Sequence, residues 1–420
     1  MNDKMIRDKI KQKFIADYSA LFSKDKVDEA EIKNGISYVI ENVCRREQAV
    51  LSEDEKKKIT EEMLDEFIGF GPIQGILKDP QVTEIMINGA KKIFIEKMNK
   101  TELSNITFEN EQQLMHAIYK MVAPTRRRVD ETSPYTEITL RDGSRVNIVI
   151  PPLALDGPAV TIRKFIKDIT KVEDLINLGT LDKRMGDFLI AAIKAKMNII
   201  FAGATGSGKT TTLNVLSSYI PNAERIITLE DTSELHLAQD NIVRLETKQA
   251  SIEGKGEITL RDLFKNSLRM RPDRIILGEI RGAEVLEMIQ AICSGHGGSL
   301  SVIHANAPED VLYRVEGMIL TSGVPLNMEA IHRLIAASIN LVVLQEQLLD
   351  GSRKVTHIAQ INGLKDGRVV LEDIFLFDVE DIDSQGRVRG KWKATGILPV
   401  FYSKLKKAGV DLPKDIFNKD

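Results

Sequence analysis

The run GATGSGKT, residues 203–210, opens where the apolar stretch NIIFAG ends and leads directly into TTTLNVLSSYI. Glycines at this density let successive backbone N–H groups turn inward around phosphate oxygens, and the start of a following helix adds a potential that favours an anion. The spacing matches G-x-x-x-x-G-K-[ST] in the context that pattern requires, after a strand and before a helix. The candidate nucleotide-binding residues are therefore Gly203, Ala204, Thr205, Gly206, Ser207, Gly208, Lys209, Thr210 and Thr211. Lys209 reaches for β- and γ-phosphates, and the Thr210 hydroxyl is the candidate ligand for Mg²⁺, so a nucleoside triphosphate is the expected ligand.

Hydrolysis of that ligand needs carboxylates that hold the metal and orient water, at the carboxyl ends of strands beside the phosphate loop. RIITLED places Glu230 and Asp231 at one such end, and DRIILGE places Glu279 at another. Gly278 stands where the generic second motif of such enzymes has Asp, and Glu279 follows it. Glu230 and Glu279 are the candidate catalytic pair, both also approaching Mg²⁺ through water; which of them is the base stays open. The plainer alternative is that each caps the helix that follows.

Only six histidines occur in 420 residues, and two of them, His296 and His304, lie within GHGGSLSVIHAN. A metal site built from Cys293, His296 and His304 matches no common zinc spacing. A packed histidine remains possible for His304, but it ends the apolar strand SLSVI, and strand ends are where ligands lie in parallel sheets. His296, in the glycine turn before that strand, is the weaker candidate.

These residues need elements to position them. From Met185, an amphipathic helix with Phe188, Leu189, Ala192 and Ile193 on one face precedes NIIFAG, after which strands alternate with helices. That alternation predicts an α/β domain with a mostly parallel sheet over 185–420, extended after Asn340 by LVVLQEQ, KVTHIAQI and RVVLEDIFLF, then a polar tail bearing Trp392. Upstream, VTEIMIN, KKIFIEK, YTEITLRDGSRVNIVIPP and AVTIRKF show period-two alternation bounded by turn residues. They predict a smaller α+β domain over 67–165, followed by a linker over 166–184. Residues 1–66, rich in Lys and Glu with Ile32, Ile36, Val39 and Ile40 at helical spacing, are expected to form a helical region mobile relative to the rest.

Composition bounds the partners. The formal net charge is −3 and aromatics are 5%, so neither a basic field nor a stacking platform points to nucleic acid, although Arg126, Arg127 and Arg128 form a local cationic run. Cys44 and Cys293 are far apart and form no CxxC pair, which fits a reducing, cytoplasmic compartment. LIAASINLVVL, from Leu334, is too short and interrupted to span a bilayer, so contact with the inner face of a membrane is expected only through a partner.

With these blocks assembled, the chain resembles the secretion ATPases of the type II/IV superfamily, and within it the CpaF-like branch that powers Flp/Tad-type pili. The resemblance runs from about Gly69 to Leu412 and rests on VTEIMING, DGSRVNIVIPPLALDGPAVTIRKF, GATGSGKTTTLN, ITLEDTSEL, RMRPDRIILGEIRGAE and GSLSVIHANAPED in that order. It implies a RecA-like P-loop domain preceded by a smaller PAS-like α+β domain. Lys209 and Thr210 match the Walker A pair, Glu230 and Asp231 the Asp box, Glu279 the Walker B glutamate, and His304 the His box that senses γ-phosphate. Arg145 and Arg163 match arginines of the N-terminal domain that approach the nucleotide. The segment before Asp142 is less typical of the branch, which leaves Arg141 outside the expected site. The resemblance further implies a homohexamer, ATP and Mg²⁺ at the junction of two domains, closure as the power stroke, and docking on an inner-membrane platform protein. The alternative is a nucleic-acid-dependent translocase related to conjugation motors.

Overall fold

A computed structural model describes residues 3–18, 29–97, 100–125, 127–164, 169–248, 250 and 255–420. Arg126 of the cationic run and the expected domain boundary at 165–166 lie outside these residues. The chain divides into two compact units, Met1–Ile166 and Lys167–Asp420.

The first unit begins with three helices, α1 (Asp3–Tyr18), α2 (Glu29–Glu47) and α3 (Glu53–Phe67). Ile32, Ile36, Val39 and Ile40 all face inward on α2 and pack with Ile10 and Phe14 of α1 and Ile59 of α3, because three-to-four-residue spacing puts them on one helical stripe. Next come α4 (Gln74–Lys78), β1 (Val82–Asn88), β2 (Lys92–Lys97), β3 (Lys100–Leu103) and α5 (Glu111–Val122). The unit closes with β4 (Tyr135–Thr139), β5 (Arg145–Val149) and β6 (Ala159–Arg163). The six strands form one antiparallel sheet in the order β3-β2-β1-β6-β5-β4. Alternation sends Ile85, Ile93, Val146, Ile148 and Ile162 to a face shared with Leu114 and Ile118 of α5. The other face carries the polar residues of each strand, as period two dictates.

Helices and sheet meet at Lys120 on α5. Its half-buried ammonium donates to the carbonyls of Glu66, Phe67 (3.2 Å) and Gly69 (3.4 Å), capping the carboxyl end of α3. Burial pulls the Lys120 ammonium below its ordinary pKa, with Glu66 opposing that shift.

The second unit contains α6 (Val172–Asn177), α7 (Lys183–Lys194), β7 (Ile199–Gly203), α8 (Lys209–Ser217), β8 (Ile226–Glu230) and β9 (Ile242–Glu246). It continues with α9 (Leu260–Ser267), β10 (Arg274–Leu277), α10 (Glu284–Cys293), β11 (Leu300–His304), α11 (Pro308–Leu320) and α12 (Met328–Ser338). The last elements are β12 (Leu341–Gln347), β13 (Arg353–Lys365), β14 (Arg368–Ile382), β15 (Val388–Ala394) and α13 (Tyr402–Lys407). Nine strands lie in the order β15-β14-β13-β12-β7-β11-β10-β8-β9, parallel from β12 through β9 and antiparallel across β12 to β15. This is the RecA-like α/β arrangement: the strand feeding the phosphate loop, β7, sits mid-sheet, with β11 between it and β10. Both faces are covered, so β7, β8 and β10 are buried along their whole length. Successive residues alternate between two cores, Phe201 and Val302 on one side, Ala202 and Ile303 on the other.

Two sequence expectations change here. The polar segment read as a linker folds, over its described part, onto the second unit: α6 buries Val172 and Leu175, and Leu181 follows them into the core. The polar tail also folds back, because its sparse apolar residues, Phe401, Leu405, Leu412 and Phe417, all enter the same core, with Phe417 edge-on to Phe188 at 5.3 Å. Their spacing among lysines conceals them in a window average.

Candidate functional site

The carboxyl ends of β7, β8, β10 and β11 bring the phosphate loop, Glu230, Asp231, Glu279 and His304 to one edge of the parallel sheet, where loops splay apart and ligands have room. The register pairs His304 directly with Gly203. His304 and the first residue of the loop are thus neighbours by strand pairing alone.

Within the loop, Gly203, Gly206 and Gly208 have φ of 152°, 81° and 96°. A Cβ on Gly203 would fall 2.1 Å from the Gln345 carbonyl oxygen, and one on Gly208 2.8 Å from Gln345 Nε2, so side chains are excluded at both. Ala204, Thr205 and Gly206 are exposed at the tip, whereas Ser207 and Lys209 are buried. Lys209 Nζ donates to the Ala204 carbonyl at 2.6 Å, and the Ser207 N–H meets the same oxygen at 3.3 Å. A backbone oxygen thus holds two donors of the loop interior, the position in which an anionic oxygen would be a stronger acceptor. Thr210 and Thr211 lie in the first turn of α8, behind the left-handed Gly208.

The two glutamates differ sharply. Glu230, 2% exposed, accepts N–H bonds at Oε2 from Glu234 (2.7 Å) and Leu235 (3.0 Å), closing the loop after β8. Burial pushes its carboxyl up to about 7, against the pull of those two amides. Gly278 accounts for the departure from the generic motif: a Cβ there would sit 2.9 Å from Glu230 Cγ. The Glu230 side chain occupies the volume that an aspartate at 278 would need.

Glu279 faces cations. Its Oε2 accepts from Arg281 Nη2 at 2.8 Å, and its Oε1 lies 3.1 Å from His304 Nε2. Burial raises its pKa, but the Arg281 hydrogen bond and charge, with His304 and Lys209 nearby, outweigh burial and hold the carboxyl below its ordinary value. Arg281 also approaches Asp231 at 3.8 Å. Burial raises the Asp231 carboxyl, with Arg281 opposing. Burial lowers the His304 imidazole, and the Lys209 charge adds to this. His304 is thus neutral at neutral pH, its Nε2 close to a carboxylate that is ionised.

The chemistry of this set fits a polyphosphate with Mg²⁺: a glycine-shaped loop, a buried ammonium, a helix start and two carboxylates of different character. Two buried oxygens here, Ser207 Oγ and Glu230 Oε1, have no hydrogen-bond partner among the described residues. Thr210 with Glu230 Oε1 and Glu279 are the groups suited to the ion.

Other sequence candidates lie elsewhere. His296 and Cys293 sit at the amino-terminal end of β11, the opposite end of the sheet from His304, and the described residues contain no cluster of three or more metal-ligating side chains. The fully buried Arg274 occupies that end too, bonded to Glu224 at 2.6 Å and the Ile193 carbonyl at 2.8 Å. Arg145 and Arg163 belong to the first unit, directly opposite each other on β5 and β6. Like charges so placed repel. Each has a carboxylate: Arg145 Nε bonds Glu137 at 3.0 Å, and Arg163 lies 3.9 Å from Glu84, its cross-strand partner on β1.

Sequence reasoning missed Arg281, Gln345 and Arg353. Arg281 follows Glu279 by two residues and carries a readable signal as a cation beside a candidate base. Gln345 and Arg353 lie more than 130 residues from the loop that they touch, and only the pairing of β12 with β7 brings them there.

Comparison with known proteins gives concordant findings. The family described as type II/IV secretion system protein matches residues 66–373. The type IV secretion system protein VirB11 of Bartonella quintana is 32% identical over 327 residues, covering 68% of this chain and 90% of its own. A Mycobacterium tuberculosis protein, named as a candidate conjugal transfer protein, is 29% identical over 310 residues, covering 72% and 87%. Among solved structures, the VirB11 ATPase of the Brucella suis type IV secretion system, in complex with sulphate, shares 29% identity over 69% of this chain and 95% of its own, with a TM-score of 0.38.

Proposed function

The chain belongs to the type II/IV secretion system protein family, and from that premise we propose that it is an ATP-hydrolysing motor of a secretion or pilus-assembly machine. The observation that carries the reading is the convergence of Lys209, Glu279 and His304 on one strand edge, with Glu279 ionised, bonded to Arg281 and 3.1 Å from His304. In this reading Lys209 leaves the Ala204 carbonyl for the β- and γ-phosphates. Glu279 is the base that polarises the attacking water, since its charge survives burial. Glu230 has one oxygen committed to the amides of Glu234 and Leu235; it places the loop that carries Asp231 and offers Oε1 toward the ion. Mg²⁺, held by Thr210 with Glu230 and Glu279 through water, would neutralise charge on the transferring phosphoryl group. His304 donates to the γ-phosphate and reads its loss.

Arg145 and Arg163 complete the site in this proposal, exchanging Glu137 and Glu84 for phosphate oxygens so that hydrolysis waits for them. The motor acts as a homohexamer on a membrane platform protein; among the described residues no helix is long and apolar enough to cross a membrane. The family blocks favour a Flp/Tad-type pilus. Relatives named for type IV secretion and conjugal transfer favour a second reading, a conjugation-related translocase.

Steady-state ATP hydrolysis with and without single-stranded DNA separates these. The wild type is expected to turn over ATP with no DNA stimulation, and Lys209→Ala to lose turnover by at least about 100-fold through the loss of its buried cation. Turnover unchanged in Lys209→Ala sinks the motor reading; strong DNA stimulation selects the translocase.

A further inference from the structure

All three positive-φ glycines of the phosphate loop back onto one strand pair. Gly203 abuts the Gln345 carbonyl, Gly206 faces Gln347 Oε1 at 3.7 Å from a Cβ position, and Gly208 meets Gln345 Nε2 and, at 3.3 Å, Arg353 Cδ. Gln345 and Gln347 end β12 and Arg353 begins β13. Thr212 Oγ1 on α8 donates to Gln345 Oε1 at 2.7 Å, and Arg353 Nε donates to the Gly206 carbonyl at 2.8 Å. The loop is therefore bedded on the hairpin whose two strands continue the sheet into its antiparallel part.

The Arg353 bond fixes more than one atom. A trans peptide unit is planar, with its C=O and N–H pointing in opposite directions. Holding the Gly206 oxygen outward turns the Ser207 N–H into the loop, where it shares the Ala204 carbonyl with Lys209. A guanidinium on the carbonyl side also polarises the peptide and strengthens the N–H as a donor. Resting on the reading of this loop as a nucleotide site, we propose that Arg353 is a positioning residue that aims and polarises the Ser207 N–H toward nucleotide phosphate and ties loop occupancy to the C-terminal strands.

The chain supplies its own reporter of that tie. Trp392, the only tryptophan, donates from Nε1 to the Val355 carbonyl at 2.9 Å, two residues along β13 from Arg353. Lys354 Nζ lies 5.3 Å from its ring centroid. A shift of Arg353 with the loop therefore reaches the indole through two residues of strand.

The test measures, on the full chain, the affinity for ADP and a non-hydrolysable ATP analogue, the Trp392 fluorescence change at saturation, and a melting curve. In the wild type both nucleotides bind and change Trp392 emission. Arg353→Ala is expected to weaken both affinities about tenfold, the worth of one charge-assisted hydrogen bond, and to abolish the emission change at saturation. Arg353→Lys keeps the charge and stem without the Nε–H fork and should fall between, which keeps the test decisive if the alanine variant melts early. Unchanged affinities in both variants, with or without a lower melting temperature, overturn the role of Arg353. A silent Trp392 in nucleotide-saturated wild type overturns the tie to the strands. Failure of the wild type to bind any nucleotide overturns the nucleotide reading itself, and this inference with it.

Discussion

A carboxylate that polarises water must stay charged after burial, and the two glutamates at this strand edge solve that problem in opposite ways. Arg281, with Lys209 nearby, keeps Glu279 ionised, so Glu279→Gln should retain ATP analogue affinity within about threefold while turnover falls by about 100-fold or more, because the amide keeps the shape and loses the charge. Filter binding beside steady-state kinetics checks it; normal turnover excludes Glu279 as the base. Glu230 carries a linkage signature. Its folded pKa of about 7 exceeds its ordinary 4.5, so its contribution to stability is full below about pH 4.5 and is lost as pH rises through 7, a swing on the order of 3 kcal/mol. Glu230→Gln should flatten melting temperature between pH 5 and 8 and melt above wild type at pH 8, while hydrolysis falls. A variant whose melting temperature follows pH as steeply as wild type does would remove the buried-acid account. Lys209 and Thr210 were legible in sequence because their chemistry is local to eight residues. The contrast between Glu230 and Glu279 was not, since it depends on amides four and five residues beyond one and on the Lys209 charge beside the other.

At the scale of elements, β8 and β10 are adjacent parallel strands, and their ends compete for one volume. Glu230 fills it and Gly278 yields it. Gly278→Ala should push the Glu230 side chain aside, costing about 1–3 kcal/mol of stability by overpacking and lowering turnover together with Glu230 function. Melting and kinetics on that one variant test the packing; wild-type values in both would show that the space is not shared. Sequence periodicity located the strands flanking the loop well, because buried parallel strands read as unbroken apolar runs such as NIIFAG and RIITLE. It missed β3, fully exposed along its length, and β15, where VRGKWKA alternates charge with little apolar signal. It also could not see that β12 and β13 underlie the phosphate loop, since strand order is a tertiary property.

At the scale of the whole molecule, the proposed motor is a ring of identical copies. In that proposal Arg145 and Arg163, opposite each other on β5 and β6, would exchange carboxylates for phosphate, a device most useful where closure is coupled around a ring. Mass measurement at micromolar protein with saturating ATP analogue should find a hexamer; only monomer under those conditions counts against the ring. The helical region joins the sheet domain at Lys120. Lys120 grips the end of α3 through three main-chain carbonyls. The Glu66 charge adds to that grip, and Asp65, also on α3, pairs with Lys78 of α4 at 3.3 Å. One ammonium thus closes the open end of a helix that its own chain leaves unfinished, and Lys120→Met would release all three oxygens at once.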